Sequence, residues 1–99
     1  MARVIKTRQA AIDLAEIMVY IAEQSNSRAV ARRWRDRIDS TLKMLAHGPA
    51  LGERCPELGS GEYRRMSVGN YVIYYMPIEG GILVIRVLHG ARDHGPLLP

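Results

Sequence analysis

Ninety-nine residues, 47% of them hydrophobic, make one domain over positions 1–99 and leave no room for a second core. The single Cys55 excludes an internal disulfide, which makes a reducing cytoplasm the expected location. The formal net charge of +4, carried mostly by Arg, permits nucleic-acid or acidic partners and selects neither.

No apolar run approaches the ~18 residues of a membrane span, and the start lacks a signal-peptide pattern, so no membrane association is expected. In chain order, Arg3–Thr7 alternates and reads as an edge strand. The Thr7 hydroxyl can cap a helix. Leu14, Ile17, Met18 and Ile21 then fall three and four apart, with Ala10 and Ala11 extending the stripe, which is the spacing of an amphipathic helix. Ser25-Asn26-Ser27 breaks it and offers a fresh cap. A second helix carries Val30, Trp34, Ile38, Leu42 and Leu45 on one face. Its other face is rich in Arg, with Arg32–Asp36, Arg35–Asp39 and Asp39–Lys43 placed to pair. That face reads as a solvated surface or as a dock for an acidic partner. Gly48 fits a left-handed stop, and Pro49 prevents continuation.

Pro49 to Glu62 reads as a loop, with Cys55 a surface thiol that no neighbouring His or acid activates. Three β-rich runs follow: Tyr63 to Val68, Tyr71 to Met76 and Ile82 to His89. Gly69-Asn70 is a two-residue hairpin signal, and a longer turn is expected at Pro77 to Gly81. Strict alternation would put Leu83, Ile85, Val87 and His89 on one face of the last strand, and Ile82, Val84, Arg86 and Leu88 on the other. Arg86 inside so apolar a strand must reach water or meet an acceptor. The expected fold is α+β: an N-terminal strand and a two-helix hairpin packed on a three- to four-stranded antiparallel sheet.

At Tyr63-Arg64-Arg65, Tyr71-Val72-Ile73-Tyr74-Tyr75 and Arg86-Val87-Leu88-His89-Gly90-Ala91-Arg92-Asp93, the chain resembles the RelE/ParE superfamily of bacterial type II toxins. The likeness spans nearly the whole length. The resemblance implies one of two activities. RelE-like members are ribosome-dependent messenger-RNA endonucleases, which need cations on the sheet and an acid/base or stacking residue near the C-terminus. ParE-like members poison DNA gyrase by protein contact. Either kind implies a cognate antitoxin in a hetero-oligomeric complex. The chain departs from the nuclease pattern: Met66 and Val72 stand where further cations would, and no Tyr follows the last strand. The ParE-like branch fits better. It implies a ParD-like antitoxin with an acidic C-terminal segment, DNA gyrase as target, no catalytic residue and no sequence-specific nucleic-acid binding. The ribonuclease, and a binding remnant without toxicity, remain the alternatives.

The candidate residues for target or antitoxin contact are Arg64, Arg65, Arg86, His89 and Arg92. Arg64, Arg65 and Arg86 could together form a basic concave patch, although Arg64 and Arg65, as strand neighbours, face opposite ways. His89 reads as a packed residue or a contact, and Arg92 as a contact or as an anchor to Asp13 or Glu16. Trp34 and the strand tyrosines read as packing. No metal site is expected from His47, His89, His94 and Cys55, and no cofactor is implied; Gly59-Ser60-Gly61 precedes a strand and so makes no phosphate loop.

Overall fold

A computed structural model describes residues 2–59 and 61–98, so Ser60 of the Gly59-Ser60-Gly61 sequence lies outside the described residues, as do the two terminal residues. The elements are β1 (Arg3–Lys6), α1 (Arg8–Ser25), α2 (Arg28–His47), β2 (Glu53–Arg54), β3 (Arg64–Val68), β4 (Tyr71–Ile78) and β5 (Gly81–His89). They build the expected α+β layers, a helix hairpin on a sheet.

Local chemistry sets the hairpin. Thr7 caps α1 by accepting from the Ala10 N–H at 3.0 Å, and Ser27 caps α2 by accepting from Val30 at 3.2 Å. Between them Asn26 takes the left-handed conformation, φ 52°, which a short polar side chain tolerates. Gly48 ends α2 at φ −132°, and not in the left-handed conformation that its position suggested. The two stripes meet the sheet: Ile17, Ile21, Ile38, Leu42 and Leu45 pack on Tyr75, Ile73, Ile82, Val84 and Val87.

The sheet has five strands in the order β1-β5-β4-β3-β2, one more than the upper expectation. β2 is two residues long and pairs with β3, inside a segment whose Pro and Gly content reads as loop. β1 lies parallel to β5, whereas all other neighbours are antiparallel. The parallel pairing follows from the connection, since the hairpin crosses one face and the meander brings the last strand alongside the first. The turn after β4 is also tighter than the sequence suggested. β4 runs through Pro77, which pairs with Ile82, and only Glu79-Gly80 remains as turn. Proline is tolerated there because β3 pairs with Tyr71 to Tyr75 alone, so Pro77 has an open edge where an N–H would be unused.

A bulge changes the faces of β5. Tyr74 pairs with Arg86 but Tyr75 with Val84, leaving Ile85 as the extra residue. Ile82, Val84 and Val87 therefore face the helices, while Leu83, Ile85 and Leu88 face away; the strict alternation expected from the sequence fails at this step. The face away from the helices is not open either. Cys55, Tyr74, Ile85 and Leu88 form a second cluster, covered by Leu58 and Tyr63 from the loop and by Leu97 and Leu98 from the tail.

Two glycines carry close approaches. Gly69 takes φ +57° at the first position of the β3–β4 turn, and a Cβ there would sit 2.4 Å from the Trp34 ring. At Gly81 a Cβ would lie 1.9 Å from the Arg3 carbonyl oxygen, a backbone atom that cannot swing aside. Gly81→Ala is therefore expected to cost about 1–3 kcal/mol in a denaturant titration and to speed amide exchange in β1 ahead of β3. Unchanged stability with β1 still protected would contradict the β1–β5 register.

Candidate functional site

The sequence candidates divide into three separate places. Arg64 lies in register with Tyr75, and its Nη1 donates to the carbonyls of Gly52 at 2.7 Å and Ala50 at 3.3 Å. It ties the segment after α2 to the sheet edge. Arg65 points to the opposite face, level with Tyr74 and Arg86. It forks onto Glu53, with Nη2–Oε1 3.2 Å and Nε–Oε2 3.4 Å, and lies 3.8 Å from Glu57. Its hydrogen bond to Glu53 raises its pKa further. At 39% side-chain exposure it remains reachable from solvent.

Arg86 shares Arg65's face but turns its head toward the sheet edge. Its Nε donates to Asp13 Oδ2 at 2.7 Å, Nη2 to Oδ1 at 3.0 Å and Nη1 to the Leu97 carbonyl at 2.8 Å. The Asp13 carboxylate also accepts from the Val87 N–H at 3.1 Å and from Gln9 Nε2 at 3.2 Å. The side chains are 13% and 4% exposed, so this is a buried, bidentate pair with its remaining acceptor sites filled. Hydrogen bonding to Asp13 raises the Arg86 pKa. The three arginines thus do not assemble the concave patch that the sequence suggested; each is held by a different internal partner.

His89 and Arg92 do come together. With Asp13, Glu16, Ile17, Tyr20, Tyr71 and Val87 they line a cleft of about 360 Å³ between α1 and the end of β5. His89 Nδ1 accepts from the Ala91 N–H at 3.1 Å, so the neutral ring carries its proton on Nε2. The ring stands edge-on to Tyr71 at 5.4 Å, and Tyr71 stands edge-on to Trp34 at 5.6 Å. Asp13 is taken by Arg86, and among the described residues Arg92 makes no ion pair with Asp13 or Glu16. Of the α1 side chains, Glu16 was named from the sequence only as a possible anchor for Arg92, and Tyr20 was not singled out; its only signal is that it follows Asp13 and Glu16 at helical spacing.

His94 was also missed. Its Nε2 donates to the His89 carbonyl at 2.8 Å, so its Nδ1 accepts the Tyr74 hydroxyl in the neutral ring. This clasp holds the tail over the second cluster. Burial raises the pKa of Tyr74, as it does for Tyr71 and Tyr75. Cys55 is buried at 1% exposure, not on the surface as its polar neighbours implied, because the loop folds it under Tyr63 onto Tyr74. Burial raises its pKa, with Glu57 and Glu53 adding and Arg65 opposing. No group of three His, Cys, Asp or Glu among the described residues is placed to hold a metal. No described helix is long and apolar enough to cross a membrane.

Removing one partner of the buried pair strands the other. Asp13→Ala is expected to cost about 3–5 kcal/mol by denaturant titration. The double replacement Asp13→Leu with Arg86→Met should cost less than that single change. If the double variant loses the sum of the two single losses, the pair is not coupled as described. Cys55 should react with a thiol reagent only slowly in the native chain, and at a free-thiol rate once denaturant is added. Fast labelling without denaturant would contradict its burial.

The comparisons with known proteins agree on one family. The profile described as "ParE toxin of type II toxin-antitoxin system, parDE" matches residues 4–94. "Toxin ParE1" of Caulobacter vibrioides is 33% identical over 91 residues, covering 89% of this chain and 92% of that protein. "Toxin ParE1" of Mycobacterium tuberculosis is 36% identical over 70 residues, covering 62% of this chain and 70% of that one. A solved structure titled "Chromosomal ParDE TA system from P. aeruginosa" superposes with a TM-score of 0.73 at 20% identity, over 90% of this chain and 96% of that one, which shows a shared fold. With the profile covering all but the ends, and a relative one-third identical over most of both lengths, the chain belongs to the ParE toxin family of type II toxin-antitoxin systems.

Proposed function

We infer that this toxin acts in the cytoplasm by binding DNA gyrase, with no cleavage chemistry of its own, and that a ParD-like antitoxin holds it silent. Family membership supports the toxin role, and the matched ParDE system supports an antitoxin as partner. The gyrase step, in which the toxin stabilises the cleaved-DNA state of the enzyme, rests on the resemblance to the ParE-like branch.

One observation favours this reading over messenger-RNA cleavage. Attack by a ribose 2′-hydroxyl needs a proton acceptor, a proton donor and charge stabilisation of the phosphorane. Arg86, the mid-strand cation, is fixed to Asp13 and Leu97, and the sheet face beyond the bulge is filled by Cys55, Tyr74, Ile85 and Leu88 under the tail. A phosphate would find Arg65 there, already forked onto Glu53. That set supplies one partly neutralised cation, and the Tyr74–His94 pair beside it is already engaged, the hydroxyl on His94 Nδ1 and His94 Nε2 on the His89 carbonyl.

Two assays separate the readings. The purified full chain is added to a gyrase supercoiling reaction, and separately to ribosomes translating a message. Supercoiling is expected to stop, with cleaved DNA accumulating, and the message is expected to stay intact. Intact supercoiling with cut message would establish the ribonuclease instead. Inactivity in both, with antitoxin binding retained, would leave a binding remnant.

A further inference from the structure

The charge on this molecule is not spread over it. Between Arg28 and Arg37, in the first half of α2, lie Arg28, Arg32, Arg33, Arg35 and Arg37 against the lone acid Asp36. That segment alone carries a formal +4, the net charge of the whole chain. Elsewhere nine basic and nine acidic side chains balance.

The arrangement does not serve the helix. The first turn of α2 holds Arg28 and no acidic residue, which is the wrong sign for the positive end of the helix dipole. All five guanidiniums are exposed. Of the three i,i+4 pairs the sequence offers along this face, only Arg35–Asp39 forms among the described residues, and at 3.9 Å it is loose. Arg28, Arg32 and Arg35, spaced four and three, lie along one stripe. Arg33 and Arg37 flank Trp34 on the other side, with Arg37 stacked 5.0 Å from the Trp34 ring centroid. Three arginines of the sheet are by contrast held internally: Arg64 on carbonyls, Arg65 on Glu53 and Arg86 on Asp13.

We propose that this ridge is a contact surface for the phosphate backbone of duplex DNA. It is a rod braced from behind by the core, with a shallow hollow of about 190 Å³ beside Trp34 and a groove of about 350 Å³ against α1 that Arg35 and Asp39 line. A rod studded with guanidiniums suits the outside of a polyanion, whereas an acidic peptide seated in the groove against α1 would meet Arg35 alone of the five. α2 carries no Asn or Gln for reading adenine, and the contacts proposed are to phosphate oxygens, which carry no sequence information, so binding is independent of sequence. The choice of DNA as polyanion rests on the gyrase reading, because gyrase presents bound DNA to whatever docks on it. Binding is measured on DNA alone, so either idea can fail while the other stands.

The test is fluorescence anisotropy of a labelled mixed-sequence duplex with the full chain across a salt series. With about four phosphate contacts, affinity should fall about 100-fold between roughly 50 and 200 mM salt. The triple variant Arg28→Gln, Arg32→Gln, Arg35→Gln should keep its circular dichroism and lower the salt slope by about three. The triple Lys variant at the same positions keeps the charge and should retain most of the binding. No binding at low salt, or an unchanged slope in the Gln variant, would overturn the proposal. So would polyglutamate displacing the duplex at lower charge concentration, which would make an acidic peptide the occupant.

Discussion

The buried Asp13 carboxylate is the joint on which this small fold depends. β1 ends at Lys6, while β5 continues to His89, so half of β5 has no strand on that side. Unpaired backbone groups under a helix are costly, and α1 supplies what the missing strand would. Thr7 continues the pairing by donating its N–H to the Val84 carbonyl and its hydroxyl to Ile85. One turn and a half later Asp13 accepts the Val87 N–H. A carboxylate buried for that purpose needs a counter-charge, and the bulge at Ile85 lets Arg86 reach around the edge to provide it. Arg86 in turn holds the Leu97 carbonyl, so one ion pair joins α1, the edge of β5 and the C-terminal tail.

That joint decides what the sheet can do. Once Arg86 has turned to the edge, the face away from the helices has room for apolar side chains, and Leu83, Ile85 and Leu88 occupy it. Leu97 and Leu98 close over them, fastened by Arg86 at one point and by the His94 bridge between Tyr74 and His89 at another. Tyr75 does the same for the loop on the helix side, donating to the Pro49 carbonyl and accepting from the Gly52 N–H. A sheet covered on both faces has little concave surface left on which to bind a target. The open features are the cleft by His89 and Arg92, the solvent side of Arg65 and the outer surface of the helices.

Much of this was legible in the sequence because it is encoded locally. The two helical stripes, the Thr7 and Ser27 caps, and the Gly69-Asn70 turn each depend on residues within a turn or two of one another. Arg86 was legible as a charge out of place in an apolar strand, whereas Asp13 was read only as a possible anchor for Arg92. Nothing local joined them, since 73 positions separate the partners. The same limit explains the other differences. A two-residue strand is defined by its neighbour, a bulge by the register across it, and the burial of Cys55 by where a loop lands. Proline looked like a turn at position 77 because the open edge beside it exists only in the assembled sheet.

The pattern of satisfied and unsatisfied charge then bears on recognition. A chain that must fold around a few long-range polar joints commits its sheet cations to internal acceptors, and this one does so at Arg64, Arg65 and Arg86. Cations committed in that way cannot be stripped for a partner without loosening the fold, and Arg65 alone combines partial exposure with an exposed counter-ion. Surfaces that exchange partners are better placed where the backbone is already rigid and the side chains hold nothing up. In this molecule that description fits the outside of the helix hairpin, where the apolar stripes have been spent on the core and the charged ones have almost no intramolecular work. Resemblance to a superfamily whose nuclease branch needs cations on the sheet draws the eye to the strands, but the energetics of this chain point to its helices.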